Sequence, residues 1–217
     1  MNAVAELVPA CNTLADIGTD HGFLPLYLLK TEKISHAICA DINRSPLESA
    51  RRNFLGSGLD SRADFRLGNG MAVINKNEAD VAVIAGMGGD TISEIIEADR
   101  SDTQRFVLQP MTKTERLRLW LNVNGWGIEN WNLVFDAGRL YEVMLVSRSA
   151  PKASAPYVRF GTPHGIDPLL YRQYIEQRTF QCQKALAGLK ASSDPDILRL
   201  KELEDDLNSL SEIKNNL

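Results

Sequence analysis

Asp16, Asp20 and His21 sit close together in the segment Leu14–Pro25 (LADIGTDHGFLP), interleaved with Gly18 and Gly22. The spacing D-x-G-x-D-x-G differs from the dinucleotide fingerprint G-x-G-x-x-G. Two added carboxylates would repel the anion that a phosphate-cradling loop must hold. An acidic, glycine-rich turn suits a ligand that carries cationic and hydroxyl groups instead. The short apolar run before it (Leu14, Ala15, Ile17) reads as a strand, and the leucine-rich run after it as a helix. Ligands settle at the carboxyl end of such a strand in an open parallel sheet, where loop N–H groups and a helix N-terminus converge. Taken alone, the turn is equally a tight strand-to-helix connection with Asp20 or Gly22 near the helix start.

Further polar and glycine residues fall at the ends of other apolar runs. Asp41 closes the run Ala37–Ala40, about 23 residues after Gly18, where an acid can accept hydrogen bonds from a ribose diol. Asn69, between Gly68 and Gly70, offers an amide to a base while its neighbours permit close approach. Gly86-Met87-Gly88-Gly89 leaves a floor with few side chains, open to a flat group, with the soft Met87 beside it. No lysine follows as a phosphate-binding loop requires. Gln109-Pro110 ends another run. S-adenosylmethionine, with its sulfonium, amine and ribose, combines the groups these loops could meet. Each motif by itself also reads as a simple turn.

The elements that must position these residues alternate between strand and helix. Strands are expected at Thr13–Ile17, Ala37–Ala40, Asp64–Leu67, Ala79–Ala85 and Phe106–Leu108, with helices between them. Ser45-Pro46-Leu47-Glu48 reads as a capping box with proline at the first helical position. Two last runs, Gly127–Val134 and Tyr141–Val146, are joined by Asp136-Ala137-Gly138-Arg139, a hairpin signal. The fold class is therefore α/β: a seven-stranded, mostly parallel Rossmann-like sheet closed by an antiparallel hairpin. Residues 1–148 form the sheet domain and 149–166, rich in Ser, Ala and Pro, a linker. Residues 167–217 form a helical hairpin arm with coiled-coil spacing, opened by Asp167-Pro168 and broken at Ser192–Pro195.

Composition excludes several classes. The 217 residues are 44% hydrophobic and 24% charged, an ordinary globular balance. Three scattered cysteines and three scattered histidines argue against a disulfide framework or a metal site. No apolar run approaches a membrane span, and the N-terminus lacks a signal-peptide pattern, so a cytoplasmic protein is expected. The net charge of −4 gives no support to nucleic-acid binding as a whole. Residues 151–190, however, carry Lys152, Arg159, Arg172, Arg178, Lys184 and Lys190 against only Asp167 and Glu176. Such a patch can hold a polyanion, and is also the look of a solvated helical face.

Together, ADIGTDHGFLP, GNG, VIAGMGGDTI, LQP and YEVMLV resemble the bacterial tRNA (adenine-22-N1)-methyltransferase family of class I S-adenosylmethionine-dependent enzymes, over essentially the whole chain. Members of that family usually open on a longer basic helix, of which Asn2–Leu7 matches the end. The resemblance implies methyl transfer to N1 of a tRNA adenine. The implied cofactor residues are Asp16, Gly18, Thr19, Asp20, His21, Asp41, Ile42, Gly68, Asn69, Gly70, Ala85 and Gly86. The implied substrate residues are Met87, Gly88, Gly89, Gln109, Pro110, Arg172, Arg178 and Lys184, with Asp20 and Gln109 as catalytic candidates and no metal. Asp20 could orient either the base or the methionine amine. The chain is expected as a monomer or weak homodimer with tRNA as its partner and no membrane contact. The alternatives are a methyltransferase for a small molecule or protein and a non-catalytic nucleotide-binding scaffold.

Overall fold

In the computed structural model, which describes residues 1–217, five parallel strands set the frame. They are β1 (Cys11–Ile17), β2 (Ile34–Asp41), β3 (Ala63–Leu67), β4 (Val81–Gly88) and β5 (Arg105–Thr112). The hairpin β6 (Gly127–Asp136) and β7 (Arg139–Ser147) completes a seven-stranded sheet ordered β3-β2-β1-β4-β5-β7-β6. β7 pairs antiparallel with both β5 and β6, as the missing crossover between the last two strands requires. The turn between them places Ala137 and Gly138 at positive φ, the backbone of a two-residue hairpin connection. The strand order reverses beside β1, and the ligand crevice of an open α/β sheet lies at that point.

Side chains alternate across the strands, so each face has its own core. Leu14, Ala37, Cys39, Val83 and Val107 point to α1 (Asn2–Leu7), α2 (Phe23–Lys30) and α3 (Arg44–Ser57). Ala15, Ile38, Ile84, Phe106 and Leu108 point to α4 (Gly89–Glu97) and α5 (Thr114–Val123). Tyr171, Tyr174, Ile175 and Cys182 of α6 (Pro168–Lys190) and Leu203, Leu210 and Ile213 of α7 (Ile197–Asn215) join that second core. Asp167 caps α6, accepting from Leu170 N–H at 2.9 Å. Along this helix Tyr174 is buried whereas Ala185 faces solvent.

Polar contacts fasten the arm at several points. Glu142 of β7 is fully buried and accepts from Arg118 Nε at 2.8 Å, Arg178 at 2.9 Å and the Tyr174 hydroxyl at 2.9 Å. Arg178 also meets Glu115 at 3.0 Å, and Arg118 lies 4.4 Å over the Trp131 ring. Burial pushes Glu142 toward protonation, yet the neighbouring charges of Arg118 and Arg178 prevail and hold its carboxyl below the usual range. Arg159 pairs with Asp206 at 2.7 Å.

Local boundaries depart from the sequence pattern where caps decide them. Helix α3 starts at Arg44 with Asn43 as cap, so Ser45 and Pro46 lie inside its first turn and no capping box forms. It ends at Ser57 with Gly58 in the left-handed conformation as its cap. β4 and β5 run on to Gly88 and Thr112, because paired bulges near their ends keep them in register beyond the apolar runs.

Candidate functional site

The carboxyl ends of β1, β2, β3 and β4 enclose a cleft of about 440 Å³. The loops around it are braced to one another by backbone hydrogen bonds. Gly18 and Thr19 N–H groups both donate to Ala40 O, at 2.8 and 3.0 Å, which pins the first turn to β2. Gly68 N–H donates to Asp41 O at 3.0 Å and ties the third loop to the same strand. Gly18 has φ +76°, and a Cβ there would stand 2.5 Å from Met87 Cε. Only glycine lets the Met87 side chain close this wall.

Asp41 lines the cleft while remaining largely shielded. One of its carboxylate oxygens accepts from Asn43 N–H at 2.7 Å, fixing the group and leaving acceptor capacity on the other. Asp16 sits behind the first turn, deeply buried. Burial, with the Asp41 charge adding to it, pushes its carboxyl up from 3.8 to about 6, and the nearby Thr19 hydroxyl only partly offsets the rise. That hydroxyl is itself buried, with no hydrogen-bond partner at good geometry. A cationic ligand group near this pair would stabilise the Asp16 carboxylate that burial disfavours.

Asp20 occupies the rim at φ 50°, with its side chain exposed. His21 Nε2 lies 3.6 Å from Asp20 Oδ1, and its ring stacks on Phe23 with centroids 5.4 Å apart. Asn53 Nδ2 anchors the same turn by donating to His21 O at 2.9 Å. On the other side, Gly86 accompanies Met87 in the cleft wall, and Gln109 Oε1 accepts from Gly86 N–H at 3.0 Å. Asp90 at the start of α4 pairs with Lys113 and, at 3.6 Å, with Arg116. The Lys113 hydrogen bond holds its carboxyl below the usual range.

Among the expected cofactor residues, Gly18, Asp20, Asp41, Ile42, Gly68, Asn69, Gly70, Ala85 and Gly86 line one cleft. Asp16, Thr19 and His21 stand behind or beside it and not on its wall. Met87 belongs to the same lining, whereas Gly88, Gly89, Gln109 and Pro110 flank it through β4, β5 and the start of α4. Arg172 and Lys184 lie on exposed turns of α6. Arg178 corrects the surface reading of the basic segment. Its guanidinium is held by Glu142 and Glu115, so it is an internal ion-pair partner and not a free RNA-facing cation. Lys190 likewise pairs with Glu204.

Asn43, Thr91 and Ile95 also line the cleft and were missed. Thr91 and Ile95 are one helical turn apart, and that spacing on the helix after the glycine floor was the available signal. Ile95, flanked by the apolar Ile92 and Ile96 on the same helix, packs where a Gly70 Cβ would stand 3.2 Å from its Cγ1. No group of three or more His, Cys, Asp or Glu side chains converges to hold a metal ion, and no helix is long and apolar enough to cross a membrane.

The chain matches known proteins over nearly its full length. A family model described as a methyltransferase domain covers residues 1–144. The tRNA (adenine(22)-N(1))-methyltransferase of Bacillus subtilis is 31% identical over 225 aligned positions, spanning 98% of this chain and 94% of that protein. The crystal structure of the B. subtilis M1A22 tRNA methyltransferase TrmK superposes with a TM-score of 0.78 at 31% identity, covering 98% of this chain and 96% of that one. The structure of M. capricolum TrmK in complex with S-adenosyl-homocysteine, its natural cofactor product, superposes with a TM-score of 0.82 at 26% identity, covering 99% and 96%.

Proposed function

The chain belongs to the tRNA (adenine(22)-N(1))-methyltransferase family, and from that membership we propose that it transfers a methyl group from S-adenosyl-L-methionine to N1 of adenine 22 in tRNA. The observation that carries this reading is the braced cleft in which Asp41, Asn69, Gly18 and Gly86 converge at the switch in strand order. The donor fits the groups present. Asp41 keeps acceptor capacity suited to a ribose diol, and the buried Asp16 gives a negative centre behind the turn. Gly86 leaves open space at its own position, and Gly18 makes room for the Met87 side chain that closes the wall.

When bound, the donor supplies an electrophilic methyl on a sulfonium. N1 of neutral adenine carries an in-plane lone pair, so the protein need not remove a proton first. Its residues would act mainly by alignment, a source of large rate gains. Asp41 and the Gly18–Thr19 turn would hold the donor side. Asp20, exposed at the rim, is placed to orient an amino group of the base or of the donor. N1 lies on the pairing edge, so the target nucleotide must leave its stack. The exposed His21–Phe23 pair beside the mouth offers a flat surface to a displaced base.

We read residues 1–148 as the catalytic domain, 149–166 as a strap and 167–217 as an arm that adds RNA contacts through Arg172 and Lys184. Incubation with labelled donor and unmodified tRNA tests the proposal. Label in the tRNA supports it, and donor binding without transfer to any tRNA refutes the substrate assignment. Transfer to protein or small molecules in the absence of RNA would move the assignment to another methyltransferase class.

A further inference from the structure

The parallel ladder between β4 and β5 is interrupted beside the cleft. Ala85 pairs with Gln109, then Met87 with Pro110, then Gly88 with Thr112, so each strand carries one extra residue, Gly86 and Met111. Pro110 has no N–H to give to the ladder. Gly86, at φ +76°, gives its own N–H to a side chain. The Gln109 side chain takes the place of the missing ladder bond. Its Oε1 accepts from Gly86 N–H at 3.0 Å, while its Nε2 donates to Pro110 O at 3.2 Å and reaches Met111 Sδ at 3.3 Å.

This amide therefore ties both bulges together. Gly86 itself has nothing within 4 Å of a built Cβ, so no packing contact around that Cβ would hold the loop in place. The loop it belongs to carries Met87 across to within contact of Gly18. A shift of Gly86 would move the Met87 wall between the first turn and the glycine floor.

The geometry points to Gln109 as a positioning residue for methyl transfer: through Gly86 it fixes the Gly86–Gly88 floor against which the acceptor base is aligned. This rests on the methyl-transfer reading above. It reassigns Gln109 from a group touching the base to one acting through the loop, because its carbonyl oxygen is already engaged by Gly86 and its amide nitrogen by β5. The essential function is the acceptor for Gly86 N–H. Glutamate retains that acceptor and loses the donors, whereas leucine loses both.

The test compares Gln109→Leu and Gln109→Glu in the full-length protein. Gly86 amide hydrogen exchange, single-turnover transfer to tRNA and donor affinity are measured together. Gln109→Leu should accelerate Gly86 exchange and lower the transfer rate by about 10²-fold, the scale of a misplacement of about 1 Å. Donor affinity and the tRNA KM should stay within about twofold, the pattern left when alignment in the transition state is lost while ground-state binding is kept. Gln109→Glu should restore Gly86 protection and recover most of the rate. Unchanged Gly86 exchange and rate in Gln109→Leu overturn the assignment. So does a Gln109→Glu protein as slow as Gln109→Leu, or a loss confined to tRNA KM, which would place Gln109 on the base. If the wild-type chain methylates no tRNA, the parent reading fails while Gly86 exchange still reports on the clamp.

Discussion

Replacing Asp16 with asparagine should stabilise the free protein and weaken its hold on the donor. Asp16 is fully enclosed behind the first turn, and burial raises its carboxyl from 3.8 to about 6, with Asp41 adding repulsion and Cys39 as its ladder neighbour. Between those two pH values the folded chain binds more protons at this site than the unfolded chain, so stability falls as pH rises. The penalty is complete above about pH 6 and absent below about pH 4. The difference corresponds to about 3 kcal/mol at 1.36 kcal/mol per pH unit, an upper figure for one buried acid. Asparagine is the uncharged isostere and removes that penalty. Urea unfolding of both proteins at about pH 5 and about pH 7.5, without donor, checks the sign. The variant should be more stable at the higher pH by up to about 3 kcal/mol, or roughly 6–12 °C in melting temperature for a chain of this size. The gap should shrink at the lower pH. A variant less stable than wild type by the same amount at both pH values would refute the reasoning. Calorimetry supplies the other half. Wild-type donor affinity should fall by about fivefold from about pH 6 to about pH 5, since one proton must leave Asp16 for its charge to act, and the variant should lose this dependence.

Asp41→Ala removes a charged acceptor fixed by Asn43, so donor affinity should drop by roughly 10- to 100-fold, in line with about 1.5–3 kcal/mol for a hydrogen bond to a charged group. Titration calorimetry reads this directly, and unchanged affinity would remove Asp41 from the site. Glu142→Gln leaves Arg118 and Arg178 without their shared carboxylate in a dry interior and should cost about 3–5 kcal/mol in urea unfolding. Removing Arg172 and Lys184 together should weaken tRNA binding and lower the slope of log affinity against log salt by about 1–2, the share of two phosphate contacts. An unchanged slope would assign RNA binding to other surfaces.

The frame of the site was legible because glycine and carboxylate punctuation at strand ends is a local signal. Asp16–Gly22, Asp41, Gly68–Gly70 and Gly86 all needed only neighbouring residues to be read, and their loops converge. The hairpin Asp136–Arg139 was legible for the same reason. The buried ion pairs were not. Arg178 and Glu142 are distant in sequence, and an arginine on a helix reads as a surface charge until its partner is placed. The bulges of β4 and β5 were equally hidden, because Gln109-Pro110 marks a strand end by composition while the Gln109 amide carries the pairing on to Gly88 and Thr112. The Ser45–Glu48 pattern misled because Asn43, already turned by its bond to Asp41, starts the helix first.

The central claim is tested most directly by locating the methyl group. Unmodified tRNA carrying adenine at position 22 is reacted with S-adenosyl-L-methionine and the purified protein, then mapped by primer extension beside the same tRNA with guanine at that position. The account predicts a single stop at position 22 in the first tRNA, none in the second, and none without donor. Methylation at another nucleotide, or equal methylation of both tRNAs, would contradict it.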